Sequence, residues 1–416
     1  MATRRPAGQP QQDKTDFKPL NHDDESFAPA QGRLGPSFWG HPGLILASAG
    51  LTGPELVMTE PTSTVSFESQ PMDCVFSSRD SLLAVGLVSG GLRVYDCKQQ
   101  QQPVKVAALK AHSGSCRAVC FDNIGTTVHT ASAHGSLLSV DVATKRRKVQ
   151  QKAAHPVGVC RLCTAAPNLI ASGDDGGNVR IWDDRQNGAC MSQNIHSEFV
   201  SDMAMHPREQ CLMSVSGDGT LAVYDLRKNK LRGQSEPDED EMGSVAVMRQ
   251  GAKVVAGSQD GVLSIFSWGY FNDCSDRFPG HPASVDALIS YDEDIVITGA
   301  SDGIIRILNI LPNKLVGIVG DHDEYPVERL ALSSDKLTLA SASHDDTVKL
   351  WDLAALQDDS SNDADAPAED ASDADSSEDA EALAAPAQKM HRAEKGAHKI
   401  PSRPKSQAAD FFADLL

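Results

Sequence analysis

The 416-residue sequence lacks several features that would assign it to a class at once. It has no run of about 18 apolar residues, the length that a membrane-spanning helix requires. An Arg4-Arg5 pair lies near the N-terminus, but the apolar core of a secretory signal does not follow it. We therefore expect a protein that stays inside the cell.

Motifs that support catalysis are also missing. There is no P-loop, no HExxH motif, no nucleophile elbow and no GxGxxG between a strand and a helix. The nine cysteines are odd in number and scattered, which argues against a disulfide framework. Cys160 and Cys163 form a CxxC pair, but in a predicted strand positions i and i+3 point to opposite faces. We expect no enzymatic activity, no metal site and no cofactor.

The sequence does contain a regular series of dipeptides, most of which end in Asp. They are Tyr95-Asp96, Val140-Asp141, Trp182-Asp183, Tyr224-Asp225, Phe266-Ser267, Leu308-Asn309 and Trp351-Asp352. Their second members lie 45, 42, 42, 42, 42 and 43 residues apart. A period of about 40–45 residues that ends in Trp-Asp is typical of four-stranded propeller blades. The sequence therefore predicts an all-β fold, a seven-bladed β-propeller.

The spacing divides the chain into four segments. We predict a mostly disordered N-terminal arm over 1–54, the propeller over 55–357, an acidic disordered tail over 358–388, and a basic segment with a terminal motif over 389–416. The arm contains an apolar stretch at 37–46, to which the sequence assigns no role. Closing the ring requires an outer strand for the last blade, and we predict this strand at Glu55–Met58, just before a first repeat strand at Thr64–Phe67.

The net charge of −19 is concentrated in the acidic tail. Residues 358–381 contain eleven acidic and no basic residues, so the rest of the chain carries −8. This tract lacks aromatic and β-branched residues and cannot bury enough apolar surface to fold. It is either a solubilising tail or an electrostatic handle for basic proteins, such as ribosomal proteins or histones.

Two further segments are candidates for binding. Phe411, Phe412 and Leu415 would present an apolar edge on one helical turn at the end of the chain, which favours a partner-binding peptide. A compact basic cluster is predicted in the loop after the second blade and suits phosphate contact or nuclear import, with a plain solvated loop as the alternative. Its members are Lys145, Arg146, Arg147 and Lys148.

The repeats resemble those of the WD-repeat family. In that family a His before the blade, a Ser or Thr on its second strand, an Asp in the next turn and a Trp on its third strand form a buried hydrogen-bonded tetrad. The seventh repeat matches with His322, Ser341, Asp345 and Trp351, and the third with His155, Ser172, Asp175 and Trp182. The resemblance implies that these residues are structural.

One branch of the WD-repeat family is especially similar, over roughly 55–357. The resemblance rests on the run 301–322, with its Asn-Ile-Leu-Pro-Asn element, and on the stretches 196–205 and 275–278. Members of this branch are nucleolar and act in ribosomal RNA processing and large-subunit assembly. The resemblance implies a non-enzymatic scaffold of the nucleus and nucleolus, with the cytoplasm as a further compartment. Its partners would be proteins of pre-ribosomal particles, its propeller would be monomeric within a larger assembly, and direct RNA contact stays open.

A second family pattern leads to an alternative function. Trp182, Asp183 and Arg185 resemble the WDxR box through which some WD-repeat proteins dock to the damaged-DNA-binding adaptor of cullin-RING ubiquitin ligases, and Arg227 belongs to a weaker copy. In this interpretation the arginines make charge-assisted contacts with the adaptor, and the protein is a substrate receptor. An ordinary solvated arginine after a blade strand is the plain alternative.

Overall fold

The computed structural model of the protein describes residues 59–186 and 188–359. Within these residues the chain forms 28 strands, arranged as seven four-stranded antiparallel sheets. A 3-10 turn at Arg249–Gly251 joins two strands of one sheet, and a short helix, α1 (Ala354–Asp359), follows the last strand. None of the described helices is long and apolar enough to cross a membrane.

The chain begins with β1 (Ser63–Ser66), which belongs to the last sheet, and then forms one sheet after another. Blade one consists of β2 (Pro71–Phe76), β3 (Leu82–Leu87), β4 (Gly91–Asp96) and β5 (Val104–Lys110). Blade two consists of β6 (Cys116–Phe121), β7 (Thr127–Ser132), β8 (Leu137–Asp141) and β9 (Arg147–Gln151). Blade three consists of β10 (Val159–Ala166), β11 (Leu169–Asp174), β12 (Asn178–Asp183) and β13 (Ala189–Asn194).

The same order continues to the end of the ring. Blade four consists of β14 (Val200–Met205), β15 (Cys211–Ser216), β16 (Leu221–Asp225) and β17 (Lys230–Gln234). Blade five consists of β18 (Met242–Met248), β19 (Lys253–Ser258), β20 (Val262–Ser267) and β21 (Asp276–Pro279). Blade six consists of β22 (Val285–Ser290), β23 (Ile295–Ala300), β24 (Ile304–Asn309) and β25 (Lys314–Asp321). Blade seven consists of β26 (Val327–Leu332), β27 (Thr338–Ser343), β28 (Thr347–Asp352) and β1.

The seven sheets close into a ring around a central channel. The first strand of each blade packs against the first strand of the next, and β26 packs against β2. Apolar side chains fill the spaces between blades; Ala84 and Leu92 of blade one, for example, share a cluster with Val128 and Leu138 of blade two. The seven-bladed propeller predicted from the spacing is confirmed.

The ring is closed by a different strand from the one that we expected. Ser63 of β1 pairs with Leu350 of β28 and Ser66 pairs with Thr347, so the outer strand of blade seven is Ser63–Ser66. The segment predicted as the closing strand, Glu55–Met58, lies outside the described residues. The prediction assigned Thr64–Phe67 to the first blade, but Thr64–Ser66 belong to the outer strand of blade seven and Phe67 begins the following loop. The loop 67–70 leads from β1 into β2, as short loops of five or seven residues lead into the other inner strands. The predicted end of the propeller at 357 falls within α1, so the first two residues of the predicted acidic tail are helical. The predicted boundaries at 54/55 and 388/389 lie outside the described residues.

The alternation of strand direction sorts the connections onto two faces. The loops that lead from one blade into the next lie on the same face as the turns between the second and third strands of a blade. We call this the upper face. The turns between first and second strands and the loops between third and fourth strands form the lower face.

Candidate interaction sites

The tetrad of blade seven is complete. His322 shares a hydrogen bond of 2.8 Å with Asp345 through Nδ1 and one of 2.7 Å with the Ser341 hydroxyl through Nε2. The Trp351 indole N–H donates to the same hydroxyl at 2.8 Å. Trp351 is 1% exposed, so the chain of bonds from the upper face to the indole lies in the interior. The tetrad ties a loop, a turn and two strands together.

Blade three contains a tetrad with a different aspartate from the predicted one. His155 bonds through Nδ1 to Asp174 at 2.7 Å and through Nε2 to Ser172 at 2.6 Å, and Trp182 donates to Ser172 at 2.7 Å. Asp175 was the predicted member, but its carboxylate accepts from Arg117 at 2.8 Å instead. Asp174 is the last residue of β11, where its side chain points inward and also accepts the backbone N–H of Asn178 at 2.8 Å. Because the turn contains an extra glycine, the sequence alone does not show which of the two aspartates occupies the tetrad position.

The histidines of other blades make partial versions of the same network. His196 bonds to Ser214 at 2.7 Å and to Thr220 at 2.9 Å. His112 bonds to Thr130 at 2.8 Å, and His281 bonds to Thr298 at 2.8 Å. Burial lowers the pKa of His112 and of His281 to about 4, so these rings are neutral at pH 7. Neutral, buried rings of this kind hold strands together and are not placed for proton transfer to a bound molecule.

Four charged side chains meet inside the channel. Arg329 approaches Asp202 with Nη2 to Oδ1 at 3.5 Å and Asp73 with Nε to Oδ1 at 3.8 Å, while Arg161 lies 3.9 Å from Asp202. Each is the third residue of its inner strand, and the four come from blades seven, four, one and three. The network therefore crosses the channel and was not visible as a motif in the sequence.

The two aspartates of this network are also bound to the neighbouring blades. Asp73 accepts the backbone N–H of Val119 at 2.8 Å, and Asp202 accepts that of Val245 at 3.1 Å. Burial raises the pKa of each carboxyl to about 6, against the opposing effect of Arg161. The aspartates thus connect successive blades as well as opposite sides of the ring.

The WDxR box lies on the lower face of blade three. Trp182 and Asp183 are buried, whereas the Arg185 side chain is 54% exposed. The Arg185 guanidinium donates to both carboxylate oxygens of Asp183, Nε to Oδ1 at 2.9 Å and Nη2 to Oδ2 at 2.8 Å. These hydrogen bonds hold the pKa of Asp183 below its usual range. The guanidinium group of Arg185 is therefore held on one edge by Asp183, and its other edge is open to solvent.

The weaker copy of the box in blade four lacks these two hydrogen bonds between arginine and aspartate. Asp225 is paired with Lys228, Nζ to Oδ2 at 3.5 Å, and accepts the Lys228 backbone N–H at 3.0 Å. Arg227 is exposed and forms no hydrogen bond or ion pair with the described residues. The two arginines lie on the same face, but only Arg185 has a fixed guanidinium.

The basic cluster belongs to blade two itself and not to the loop after it. Lys145 and Arg146 lie in the lower-face loop before β9, and Arg147 and Lys148 begin that outer strand. All four are exposed, and Lys148 pairs with Asp141 at 3.3 Å. Next to it, Val149 of β9 and Trp182 line one small cavity of about 40 Å³ between blades two and three. The basic cluster and the WDxR box are therefore neighbours.

The cysteines show no disulfide, and the described residues contain no cluster of metal-ligating side chains. Cys160 lines the upper part of the channel and Cys163 the lower part. Burial raises the pKa of each thiol to about 12, which disfavours the thiolate. Phe411, Phe412 and Leu415 of the predicted terminal motif lie outside the described residues.

The sequence of the propeller matches that of a known protein family. The family model described as WDR55 matches residues 62–356. The chain belongs to the WDR55 family. The match begins one residue before β1 and ends within α1, so the closing strand is part of what the WDR55 family shares.

Individual members of the family cover most of the chain. WD repeat-containing protein 55 of Arabidopsis thaliana is 44% identical over 279 residues, which are 67% of this chain and 79% of that protein. The protein of the same name from Bos taurus is 37% identical over 308 residues, 74% of this chain and 78% of its own. The WD repeat-containing protein 55 homolog of Dictyostelium discoideum is 32% identical over 292 residues, 70% of this chain and 71% of its own.

Proposed function

We propose that this protein is a non-enzymatic scaffold for ribosomal RNA processing and assembly of the large ribosomal subunit, located in the nucleus and nucleolus. Membership of the WDR55 family is the observation that carries the proposal, together with the resemblance of the run 301–322 to the nucleolar branch of the WD-repeat family. Its partners are proteins of pre-ribosomal particles.

The architecture supports a scaffold through its rigidity. The tetrads and the charged network fix the loops of both faces on a closed ring, and preorganised loops lose little entropy when a partner binds. Because Arg329 and Asp202 cross the channel, a partner chain has no open path through the ring. Binding therefore takes place on the two faces and at the channel mouths.

Depletion of the protein from cells tests the proposal. Precursor RNA of the large subunit should accumulate, measured by hybridisation with spacer probes, and a fluorescent fusion should concentrate in nucleoli. Re-expression of the wild-type chain should restore processing, whereas the unstable variant Trp351→Ala should not. Unchanged precursor levels after complete depletion would contradict the scaffold function.

The anchored Arg185 favours one alternative function, that of a substrate receptor of a cullin-RING ligase. A guanidinium held on one side by Asp183 and 54% exposed is preorganised for a charge-assisted contact with the adaptor. Arg185→Glu should abolish co-purification of the adaptor while the protein stays folded by circular dichroism, although it should unfold at a lower temperature because the buried Asp183 loses its cation. Arg227→Glu, on the same face but without the two hydrogen bonds to an aspartate, provides the control for added negative charge. Retained adaptor binding by Arg185→Glu would remove this alternative.

Affinity purification with cross-linking separates the two functions in one experiment. A scaffold should yield pre-ribosomal proteins, and a receptor should yield the ligase adaptor. If depletion changes the ubiquitination of a bound protein while the level of precursor RNA stays normal, the receptor function is favoured.

A further inference from the structure

The upper face carries charge of one sign over more than half of the ring. In blades four to seven it is formed by the loops 195–199, 235–241, 280–284 and 322–326 and by the turns 217–220, 259–261, 301–303 and 344–346. These segments contain thirteen Asp or Glu residues and no Lys or Arg. The lower-face connections of the same blades contain both signs, Arg208 and Lys336 among them. In blades four to seven, negative charge is therefore concentrated on the upper face.

Some of these carboxylates are used by the fold, and others are not. Asp302 pairs with Arg306 at 2.6 Å, and Asp345 holds His322. Glu198 and Glu241 are exposed and form no side-chain hydrogen bond or ion pair with the described residues. Burial and the nearby carboxylate of Asp260 raise the pKa of Asp240, so the loop 235–241 holds like charges close together. Such a surface is stabilised when a cation approaches it.

The channel opens on this face as a cavity of about 490 Å³. Its lining includes Phe199, Glu241, Asp286, Glu328 and Ser201. Two arginines also line it on the side of blades two and three, but both are already paired, Arg117 with Asp175 and Arg161 with Asp202. The Ser201 side chain is buried, with 7% of the residue exposed, and its hydroxyl has no hydrogen-bond partner among the described residues. A buried hydroxyl without a partner costs free energy, and a donor placed in the cavity would satisfy it.

One aromatic side chain lines this opening, and a second lies on the same face. Phe199, in the loop that leads from blade three into blade four, is 38% exposed, and Tyr325, in the loop before blade seven, is 51% exposed. An aromatic ring next to free carboxylates is suited to a side chain with an apolar stem and a cationic end. Lysine and arginine have both.

We infer that the upper face of blades four to seven docks an extended Lys/Arg-rich segment of a partner protein, with one basic side chain inserted into the channel mouth against Phe199, Glu241 and Ser201. The inference deepens the proposed scaffold function, on which it rests, by naming the chemistry of the partner and the face that it uses. The excess negative charge repels phosphate, so RNA is not the occupant of this face.

The first test measures peptide binding to the full-length chain. The eleven carboxylates of 358–381 are replaced by amides throughout, so that the tail does not compete for the probe. The probe is a fluorescein-labelled twelve-residue peptide of alternating Arg, Lys, Gly and Ser, and a peptide with Gln at every basic position is its control. Fluorescence anisotropy should show binding of the basic peptide alone, weakening steeply with added salt.

Two double variants of equal charge locate the binding. Glu198→Lys with Glu241→Lys on the upper face should weaken peptide binding by about tenfold or more, as the loss of two close ion pairs predicts. Asp80→Lys with Glu293→Lys on the lower face changes the net charge equally and should alter affinity by less than about twofold. Equal weakening of peptide binding by both double variants, or no weakening by either, would overturn the docking site.

A third variant tests insertion into the channel. Ser201→Ala should weaken peptide binding by about threefold without changing its salt dependence, because the protein loses a neutral hydroxyl group and no charge. Wild-type affinity of Ser201→Ala would overturn the insertion. A labelled single-stranded RNA that binds the protein, and is displaced by the peptide in the wild type, would show that nucleic acid occupies this face and would overturn the choice of partner.

The failure of this inference can be distinguished from failure of the scaffold function. Precursor RNA that accumulates on depletion, and is processed again on re-expression of the Glu198→Lys/Glu241→Lys variant, would retain the scaffold and reject the docking face. Unchanged levels of precursor RNA after depletion, together with intact peptide binding, would reject the scaffold function and retain the docking face. Both inferences require accumulation on depletion and failure of this variant to restore processing.

Discussion

Arg329 of blade seven lies 3.5 Å from Asp202 of blade four, across the central channel. The contact joins strands that are 127 positions apart in the chain and on opposite sides of the ring. Both side chains are largely shielded from solvent, since that of Arg329 is 9% exposed and that of Asp202 is 15% exposed. The ring is thus braced across its centre as well as around its circumference.

We predict that Arg329→Met destabilises the fold by about 3–5 kcal/mol. The substitution removes one of the two cations of the network and leaves the buried Asp73 and Asp202 with Arg161 alone. Urea denaturation followed by tryptophan fluorescence measures the change. Arg79→Met, at an exposed lower-face turn, is the control and should stay within about 0.5 kcal/mol of the wild type. A loss of less than about 1 kcal/mol for Arg329→Met would contradict a structural role for the network.

The same network predicts a pH dependence. The pKa of Asp202 is about 6 in the folded protein against an ordinary value of 3.8, so the folded chain binds the proton more tightly than the unfolded chain. The contribution of this carboxyl to stability is fully present below pH 3.8 and is lost as the pH rises through about 6. Asp202→Asn should therefore flatten the change of the urea midpoint between pH 4.5 and pH 7. A parallel curve for variant and wild type would show that Asp202 does not titrate in this window.

We predict that the tetrad of blade seven is a main source of stability. Trp351→Ala removes a buried indole and its hydrogen bond to Ser341 and should cost roughly 3–5 kcal/mol. Tyr270→Ala, which removes an aromatic ring that is 80% exposed, should have little effect. Thermal unfolding monitored by circular dichroism compares the two, and near-wild-type stability of Trp351→Ala would refute the assignment.

Adjacent aspartates of blade three should differ in their effect. Asp174→Ala removes the partner of His155 and of the Asn178 backbone and should cost about 2–4 kcal/mol. Asp175→Ala removes a partly exposed ion pair with Arg117 and a hydrogen bond from the Cys160 thiol, and should cost less than about 1 kcal/mol. Denaturant midpoints of the two variants measure the difference. A larger loss for Asp175→Ala would restore the arrangement that the sequence had suggested.

The fold was predictable because it is repeated. Seven near-equal spacings average out the departures of single blades, and His322, Ser341 and Trp351 stand at the family positions of the last repeat. Asp174 was missed because one extra glycine shifts the register of a turn, and only the inward direction at the end of β11 decides between neighbouring aspartates. The closing strand was misplaced because a short polar strand such as Ser63–Ser66 has little apolar periodicity of its own.

The channel network could not be read from the sequence in the same way. Successive members of the set Asp73, Arg161, Asp202 and Arg329 are separated by 41 to 127 positions, and each alone looks like a charge at a solvent-facing position of a strand. A usable signal existed, since all four are the third residue of an inner strand. Comparing the same position from blade to blade, in place of reading each blade along its length, would have brought them together.

The pairing of β1 with β28 has a consequence for synthesis. β1 is made first, and its partner emerges from the ribosome nearly 300 residues later. Until then β1 has no strand to bond with, and the apolar side of blade one that packs against Val348 and Leu350 stays uncovered. Strand edges and apolar surfaces left open in a growing chain invite wrong pairings. The seam between β1 and β28 is therefore the last part of the described ring that can form, and until then blade one exposes an edge that a chaperone could cover.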